Sequence, residues 1–349
     1  MTTTHLTING SEGEGGGQML RSALALSALL GTPFTISRIR AGREKPGLMR
    51  QHLTAVNAVA EICGARVVGA AVGSTELTFE PGEIRAGEYH FSIGTAGSTT
   101  MVLQAMLPAL MAAKAASRVV VEGGTHARWA PPWEFFDLAL VPQIRAMGVA
   151  VFPRLERHGF YPAGGGKIVV EIDPLCPAPT GNAPRTPFAL HERGDPVARR
   201  AKIIHAQLPR TIAEREQAVL AARLGFEPHH SQIVAAGTSR GPGNAVMVII
   251  EHANVTEVCS SIGEHGVSAE GVAAAACTEV ETYAKHAAPV GPHLADQLMV
   301  PLVAAGGGTF TATEFTQHAI TNTQIVQKFV GEDRVRVEEG ASGVTWTHA

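Results

Sequence analysis

The chain has 349 residues, 45% of them apolar and 17% charged, and a formal net charge of −3. That is core material for one large domain or two ordinary ones, and too little charge for a disordered chain. A near-neutral balance excludes a protein that coats nucleic acid through a global positive field, so any nucleic-acid contact has to come from a local basic patch.

In chain order the expected elements repeat. A short strand from His5 to Ile8 enters a Gly-rich loop, Gly10 to Gly17, and an apolar helix from Gln18 to Leu30. A strand Phe34 to Arg40, a polar loop, a helix near Leu48 to Cys63, and strands at Ala65 to Val68 and Glu76 to Glu80 follow. The same order returns with strand Tyr89 to Ile93, loop Gly94 to Gly97, helix Ser98 to Ala115, strand Arg118 to Glu122, loop Gly123 to Pro132, helix Trp133 to Met147, and strands Val149 to Pro153 and Lys167 to Ile172. A third copy is split. It opens near Phe188 to Glu192 and resumes at Gly291 with helix His293 to Ala304, strand Thr309 to Phe315, helix Thr321 to Val330, and strands Arg334 to Glu338 and Val344 to His348. Between the halves, roughly Arg193 to His286, lie strands Ala201 to Ala206, Gln232 to Ala236 and Ala245 to Glu251, with helices Thr211 to Leu224 and Ser268 to Lys285.

The expected fold class is therefore α/β (α+β): three βαβαββ repeats forming a large domain, residues 1–186 and 287–349, with a smaller inserted α/β domain at 187–286. A Pro-rich stretch from Pro174 to Pro179, with Pro184 and Pro187, reads as a stiff approach to the insert. Cys63, Cys176, Cys259 and Cys277 are scattered, suggesting neither a disulfide framework nor a zinc site and fitting a reducing cytoplasm. The start of the chain lacks a signal-peptide pattern, and Arg21, Gln104, Pro108 and Lys114 interrupt the most apolar stretches, so neither secretion nor membrane spanning is expected.

Like-built units place equivalent loops on equivalent edges, which makes the Arg40 to Lys45, His126 to Pro132 and Thr316 to Thr321 loops candidates for one cleft. His318 stands where a strand hands over to a helix, a place where imidazole can act as a nucleophile beside an anion, though a solvated loop histidine is the commoner case. The loop Gly10-Ser11-Glu12-Gly13-Glu14-Gly15-Gly16-Gly17 opens into a helix without a Walker lysine. It is either a flexible turn or a phosphate cradle whose carboxylates hold Mg²⁺. Arg21 and the run Arg38, Arg40, Arg43, Lys45 and Arg50 read as a phosphate-recognition surface, against the alternative of a solvated basic face. Gln104 is either a satisfied core amide or a ligand contact, and Asp296 either a helix-start charge or an acceptor for ribose hydroxyls.

Together, Gly-Ser-Glu-Gly-Glu-Gly-Gly-Gly-Gln at 10–18, Arg40 with Lys45-Pro46-Gly47-Leu48, Gln51-His52-Leu53, Gly123-Gly124-Thr125 with Ala130-Pro131-Pro132, His293-Leu294-Ala295-Asp296-Gln297, and His318 with Thr321-Asn322 resemble the RNA 3′-terminal phosphate cyclases over nearly the whole chain. The resemblance implies that ATP adenylates the enzyme, that AMP passes to an RNA 3′-phosphate, and that the neighbouring 2′-OH displaces it to leave a 2′,3′-cyclic phosphate. It implies His318 as the adenylated nucleophile and Glu14 as the ligand of a divalent cation, Mg²⁺ or Mn²⁺. Arg21, Arg40, Arg43 and Gln51 become contacts to RNA phosphate, and Gln104, Pro131, His293, Leu294, Ala295, Asp296 and Gln297 become the ATP site. The partner is RNA with a 3′-phosphate end, the location cytoplasmic, with no membrane, and a homodimer is compatible. One position departs from the pattern: His293 stands where the family often has a tyrosine that stacks on adenine, which bears on nucleotide choice.

For attack, one nitrogen of His318 must be free of hydrogen, and either Gln297 or a backbone carbonyl is the expected partner of the other. A catalytically inactive relative serving as an RNA or ribosome-assembly binding factor is the alternative reading, and an enolpyruvyl transferase a weaker third.

Overall fold

β1 (Leu6–Asn9), α1 (Gln18–Leu30), β2 (Phe34–Ser37), α2 (Arg50–Cys63), β3 (Arg66–Val68) and β4 (Leu77–Glu80) form the first unit of the computed structural model, which describes residues 5–174 and 187–349. Their sheet runs β1-β2-β4-β3, with β1 parallel to β2 and the other pairs antiparallel. Apolar residues occupy every side of α1, and Gln18 through Ala28 are all buried, which makes it a central helix rather than an amphipathic surface one. It ends at Gly31, whose φ of 67° suits a residue without Cβ. β2 stops at Ser37 instead of reaching Arg40, because Arg38 and Arg40 take φ values of 54° and 56°, a left-handed conformation that breaks an extended strand.

The second unit comprises β5 (Glu88–Ser92), α3 (Thr99–Met111), β6 (Ser117–Gly123), α4 (Trp133–Phe135), a π-helical turn over Phe136–Leu140, α5 (Val141–Ala146), β7 (Ala150–Arg157) and β8 (Gly166–Asp173). It repeats the strand order, β5-β6-β8-β7, and the same directions. In β5 Tyr89 and Phe91 turn inward between exposed Glu88, His90 and Ser92, the period-two pattern of a half-buried strand. The single helix expected from Trp133 to Met147 is interrupted by the π turn; Pro142 has no N–H to return to Leu138, and the turn before it widens.

β9 (Phe188–Leu190) pairs in parallel with a strand more than a hundred residues later, and between them lies a fourth sheet with its helices. That sheet contains β10 (Pro196–Ala206), β11 (Ser231–Ala235), β12 (Gly243–His252) and β13 (Thr256–Ile262), in the order β11-β10-β12-β13, with α6 (Arg210–Leu224) and α7 (Ala269–Ala284) packed on it. Sequence reading passes over β13 because Ser260 and Ser261 dilute its apolar pattern, yet it pairs with β12 along its whole length. The third unit then closes with α8 (Pro292–Ala304), β14 (Gly308–Ala312), α9 (Gln317–Val330), β15 (Val335–Gly340) and β16 (Gly343–His348). Its sheet, β9-β14-β16-β15, has the order and directions of the first two. Residues 188–190 thus belong to the third sheet, and the fourth begins at Pro196. Cys176 and the Pro-rich stretch from 175 to 186 lie outside the described residues.

α1 packs against α2, α3, α8 and α9, so the helices of the three units share one apolar core that includes Leu24, Val56, Leu103, Leu298 and Val326. The fourth sheet has a core of its own on one face, where Ile203, Val248, Leu220 and Cys277 meet, while Ile204, Met247 and Ile249 on the other face join the common core. Among the described residues no helix is long and apolar enough to cross a membrane.

Candidate active site

The common helical core sets the site's position, since α1, α3, α8 and α9 all bring polar side chains to it. The helix expected to begin near Thr321 begins at Gln317, because the Thr316 hydroxyl accepts from the Ala319 N–H at 3.3 Å and caps it. His318 therefore lies in the first turn of α9 rather than in a preceding loop. Its Nδ1 is 2.8 Å from Gln18 Oε1 and 3.7 Å from Glu14 Oε2. Two oxygen acceptors on one side of the ring place the hydrogen on Nδ1, leaving Nε2 with its lone pair free. Gln18 is thus the group that fixes the tautomer. Gln297 instead donates to Asp296 Oδ1 at 2.6 Å.

Glu14 is drawn into the same cluster. Its N–H donates to Thr321 Oγ1 at 3.1 Å, and Arg43 Nη2 donates to its Oε2 at 2.8 Å. Its side chain is 5% exposed, and Oε1 is buried without a hydrogen-bond partner. A buried carboxylate oxygen without a hydrogen-bond partner is a donor atom that fits a divalent ion, since Mg²⁺ is commonly held by one carboxylate plus phosphate oxygens and water. Among the described residues no three His, Cys, Asp or Glu side chains converge, so any such ion would depend on phosphate for its remaining ligands.

The Gly-rich loop can approach this closely only because it lacks side chains. Gly13 has φ +57°, and a Cβ there would lie 2.3 Å from Thr321 Oγ1. Gly13→Ala is therefore expected to destabilise the fold by about 1–3 kcal/mol and to push Glu14 away from α9. Urea denaturation checks this, and an unchanged midpoint would show that the loop does not press on Thr321.

Around Arg21 the second half of the predicted set assembles. Arg21 Nε donates to Gln104 Oε1 at 2.9 Å. Burial lowers the guanidinium to about 10, partly offset by Asp296 and Glu14, so it remains a cation at neutral pH. Burial raises Asp296, opposed by its hydrogen bond from Gln297 and by His293, His318 and Arg21. Arg21, Ser22, Gln104, Asp296 and Gln297 line a narrow cleft with room for only about 10 Å³. Asn322, in α9, donates to the Asp296 carbonyl at 2.7 Å and accepts from Ser22 at 2.6 Å, tying α1, α8 and α9 together beneath the cleft. His293, one turn before Asp296 and Gln297 in α8, is 64% exposed and 4.0 Å from Glu279 of α7. Leu294 and Ala295 are fully buried in the core, so only their backbone could meet a ligand.

Three further predicted residues make bonds within the protein. Arg40 spends Nη1 on the carbonyls of Lys45 and Gly47 and braces its own loop. Gln51 accepts from the Ser98 N–H at 2.6 Å and donates to Met101 sulfur, so its amide holds the start of α3. Pro131 meets the same helix start through its carbonyl, which accepts from Thr100 at 2.7 Å. His52, visible in the sequence only as part of a motif, lies among the arginines. Burial, then Arg21, Arg40 and Arg43, push it down to about 3. Its Nδ1 accepts from the Met49 N–H at 3.3 Å, so this neutral ring carries its hydrogen on Nε2, against Gly17.

A family model described as RNA 3′-terminal phosphate cyclase matches residues 12–334. The chain belongs to the RNA 3′-terminal phosphate cyclase family. A protein from Koribacter versatilis (strain Ellin345) named RNA 3′-terminal phosphate cyclase is 48% identical over 325 residues, covering 93% of this chain and 90% of that one. Among solved structures, the enolpyruvyl transferase NikO from Streptomyces tendae aligns with a TM-score of 0.29 at 13% identity, over 99% of this chain. This chain spans 65% of that protein's length, and so slight an overlap does not bear on its chemistry. Membership in the cyclase family agrees with the resemblance carried by the six motifs. A second, larger cleft of about 660 Å³ lies elsewhere, between α4 and the fourth sheet, lined by Glu134, Asp137 and Lys202.

Proposed function

We propose that this protein is an ATP-dependent cyclase that converts an RNA 3′-terminal phosphate to a 2′,3′-cyclic phosphodiester through adenylated His318. The observation that carries the reading is the His318 ring: Nδ1 is held by Gln18 and flanked by Glu14, while Nε2 is free. In the first step Nε2 bonds to the α-phosphorus of ATP and pyrophosphate leaves. A 3′-phosphate oxygen of RNA then bonds to the α-phosphorus and the N–P bond breaks, restoring neutral imidazole. Finally the 2′-oxygen attacks the 3′-phosphorus, loses its proton and expels AMP. Arg43 and buried Arg21 supply fixed positive charge for the phosphoryl oxygens as charge develops on them. A divalent ion, when bound, neutralises phosphate charge, and Glu14 is the residue placed to hold it. The residues proposed for ATP are Gln104, Pro131, Asp296, Gln297 and the exposed His293.

The cleft has room for only about 10 Å³, about one water molecule, against the roughly 300–1,000 Å³ of ordinary small-molecule sites. On this reading the side chains that line the cleft, Arg21, Gln104, Asp296 and Gln297 among them, must move apart as nucleotide enters. The test is incubation of a 3′-phosphorylated oligonucleotide with ATP and Mg²⁺ or Mn²⁺. Catalytic turnover to a phosphatase-resistant end is expected, and binding without turnover would instead show an inactive RNA-binding relative.

A further inference from the structure

In the first and third sheets the loop after the second strand supplies the site: Arg40 and Arg43 follow β2, and His318 follows β14. The matching loop of the second sheet, residues 124–132 after β6, carries an exposed aromatic that the chemistry leaves unused. Trp129 is 81% exposed and Tyr161 is 80% exposed, the two most exposed large hydrophobic side chains among the described residues. The two belong to one edge. The N–H groups of Thr125 and His126 donate to the Gly159 carbonyl at 2.8 and 3.2 Å, and the rings of His126 and Phe160 stack at 5.3 Å. The turn 237–243 of the fourth sheet packs on this edge, with the Arg240 side chain over Gly165 and Gly241 against Ala163.

Trp129 is also held in place rather than left to move. Its φ is +61°, which a bulky residue adopts only under constraint from its surroundings. The Arg128 guanidinium stacks 4.3 Å from its ring centre while pairing with Glu264. The edge is continuous with the proposed site, because Pro131 in the same loop accepts from Thr100, one turn before Gln104 on α3.

We propose that loops 124–132, 158–165 and 237–243 form a track for single-stranded RNA, on which Trp129, braced on one face by Arg128, and Tyr161 stack bases upstream of the 3′-terminal nucleotide while Arg240 meets a phosphate. This rests on the RNA reading of the site. The occupant follows from chemistry: isolated aromatic faces interleaved with guanidinium groups suit splayed bases on an anionic backbone, and stacking tolerates any sequence.

The test compares a decanucleotide with a dinucleotide, both ending in a 3′-phosphate. Trp129→Ala and Tyr161→Ala are each expected to reduce the KM preference for the longer substrate by about ten-fold, and Trp129→Phe to restore most of it. An unchanged preference overturns the track. Should no protein turn over, which would sink the cyclase reading, fluorescence anisotropy of a labelled decanucleotide still decides: weaker binding by the two alanine variants supports the track, and equal binding overturns it. Trp133 and Trp346 are 6% and 0% exposed, so RNA should also shield the intrinsic fluorescence from acrylamide through Trp129 alone. A dimer that Trp129→Ala dissociates, with RNA binding unchanged, would make this edge an interface between copies and overturn the proposal.

Discussion

Replacing His318 by alanine is expected to abolish covalent transfer of AMP from α-labelled ATP and to lower cyclisation by at least about 10⁴-fold, as removal of a nucleophile does in other covalent enzymes. No neighbouring group can substitute, since Gln18 offers an amide and Glu14 a carboxylate already engaged by Arg43. Loss of folding cannot account for the effect. The His318 side chain is 48% exposed, and trimming a half-exposed ring that makes one hydrogen bond costs about 1 kcal/mol. The label should be acid-labile and alkali-stable, as a phosphoramidate is. Gln18→Ala provides the companion measurement. With the tautomer no longer fixed, labelling should persist but slow by about ten- to a hundred-fold, the range seen when a group that orients an imidazole is removed. Full labelling of His318→Ala would rule out His318 as the nucleophile, and full speed in Gln18→Ala would show that Gln18 does not orient the ring.

The helical core was legible in the sequence because its signal is redundant. Apolar α1 and α3, the Gly31 stop and the Ser98 start each point to the same elements, and three units repeat them. Local deviations were less legible, because each turns on one backbone choice made in three dimensions. Arg38 and Arg40 look like the end of a strand until their left-handed φ values turn the chain toward α2. His318 looks like a loop residue because threonine before a helix competes with Thr321 as the start. In the site, residue types were readable but partners were not. The sequence separates Gln18 from His318 by 300 residues, and nothing in either stretch distinguishes Gln18 from Gln297 as the tautomer-fixing amide. Gln51 shows the same limit: its role as a phosphate contact is implied by the resemblance alone, and nothing in its own stretch announces the bond it accepts from the Ser98 N–H at the start of α3.

The largest effect on stability is expected away from the proposed chemistry, at Glu134. This carboxylate is 2% exposed, with one oxygen 2.7 Å from His126 Nε2 and the other 2.8 Å from Lys202 Nζ. Burial pushes the group up, but the charges and hydrogen bonds of His126 and Lys202 outweigh it and hold the carboxyl at about 2. A folded-state value below the unfolded one of 4.5 means that stability is fully present above pH 4.5 and is lost as the pH falls toward 2. Over that window the loss amounts to about 3 kcal/mol. Glu134→Ala should forfeit about 3 kcal/mol at neutral pH, because it leaves the buried His126 ring and the partly exposed Lys202 ammonium without their shared anion. Lys202 lies in β10 and Glu134 in α4, so the fourth sheet should loosen from the second unit first, exposing amides of β10 to hydrogen exchange before those of α1. Urea midpoints measured from pH 7 to pH 3 check both points: the gap between wild type and Glu134→Ala should narrow as the wild type loses its charged carboxylate. A gap that stays constant across this range would mean that packing, and not the ion pair, holds the two units together.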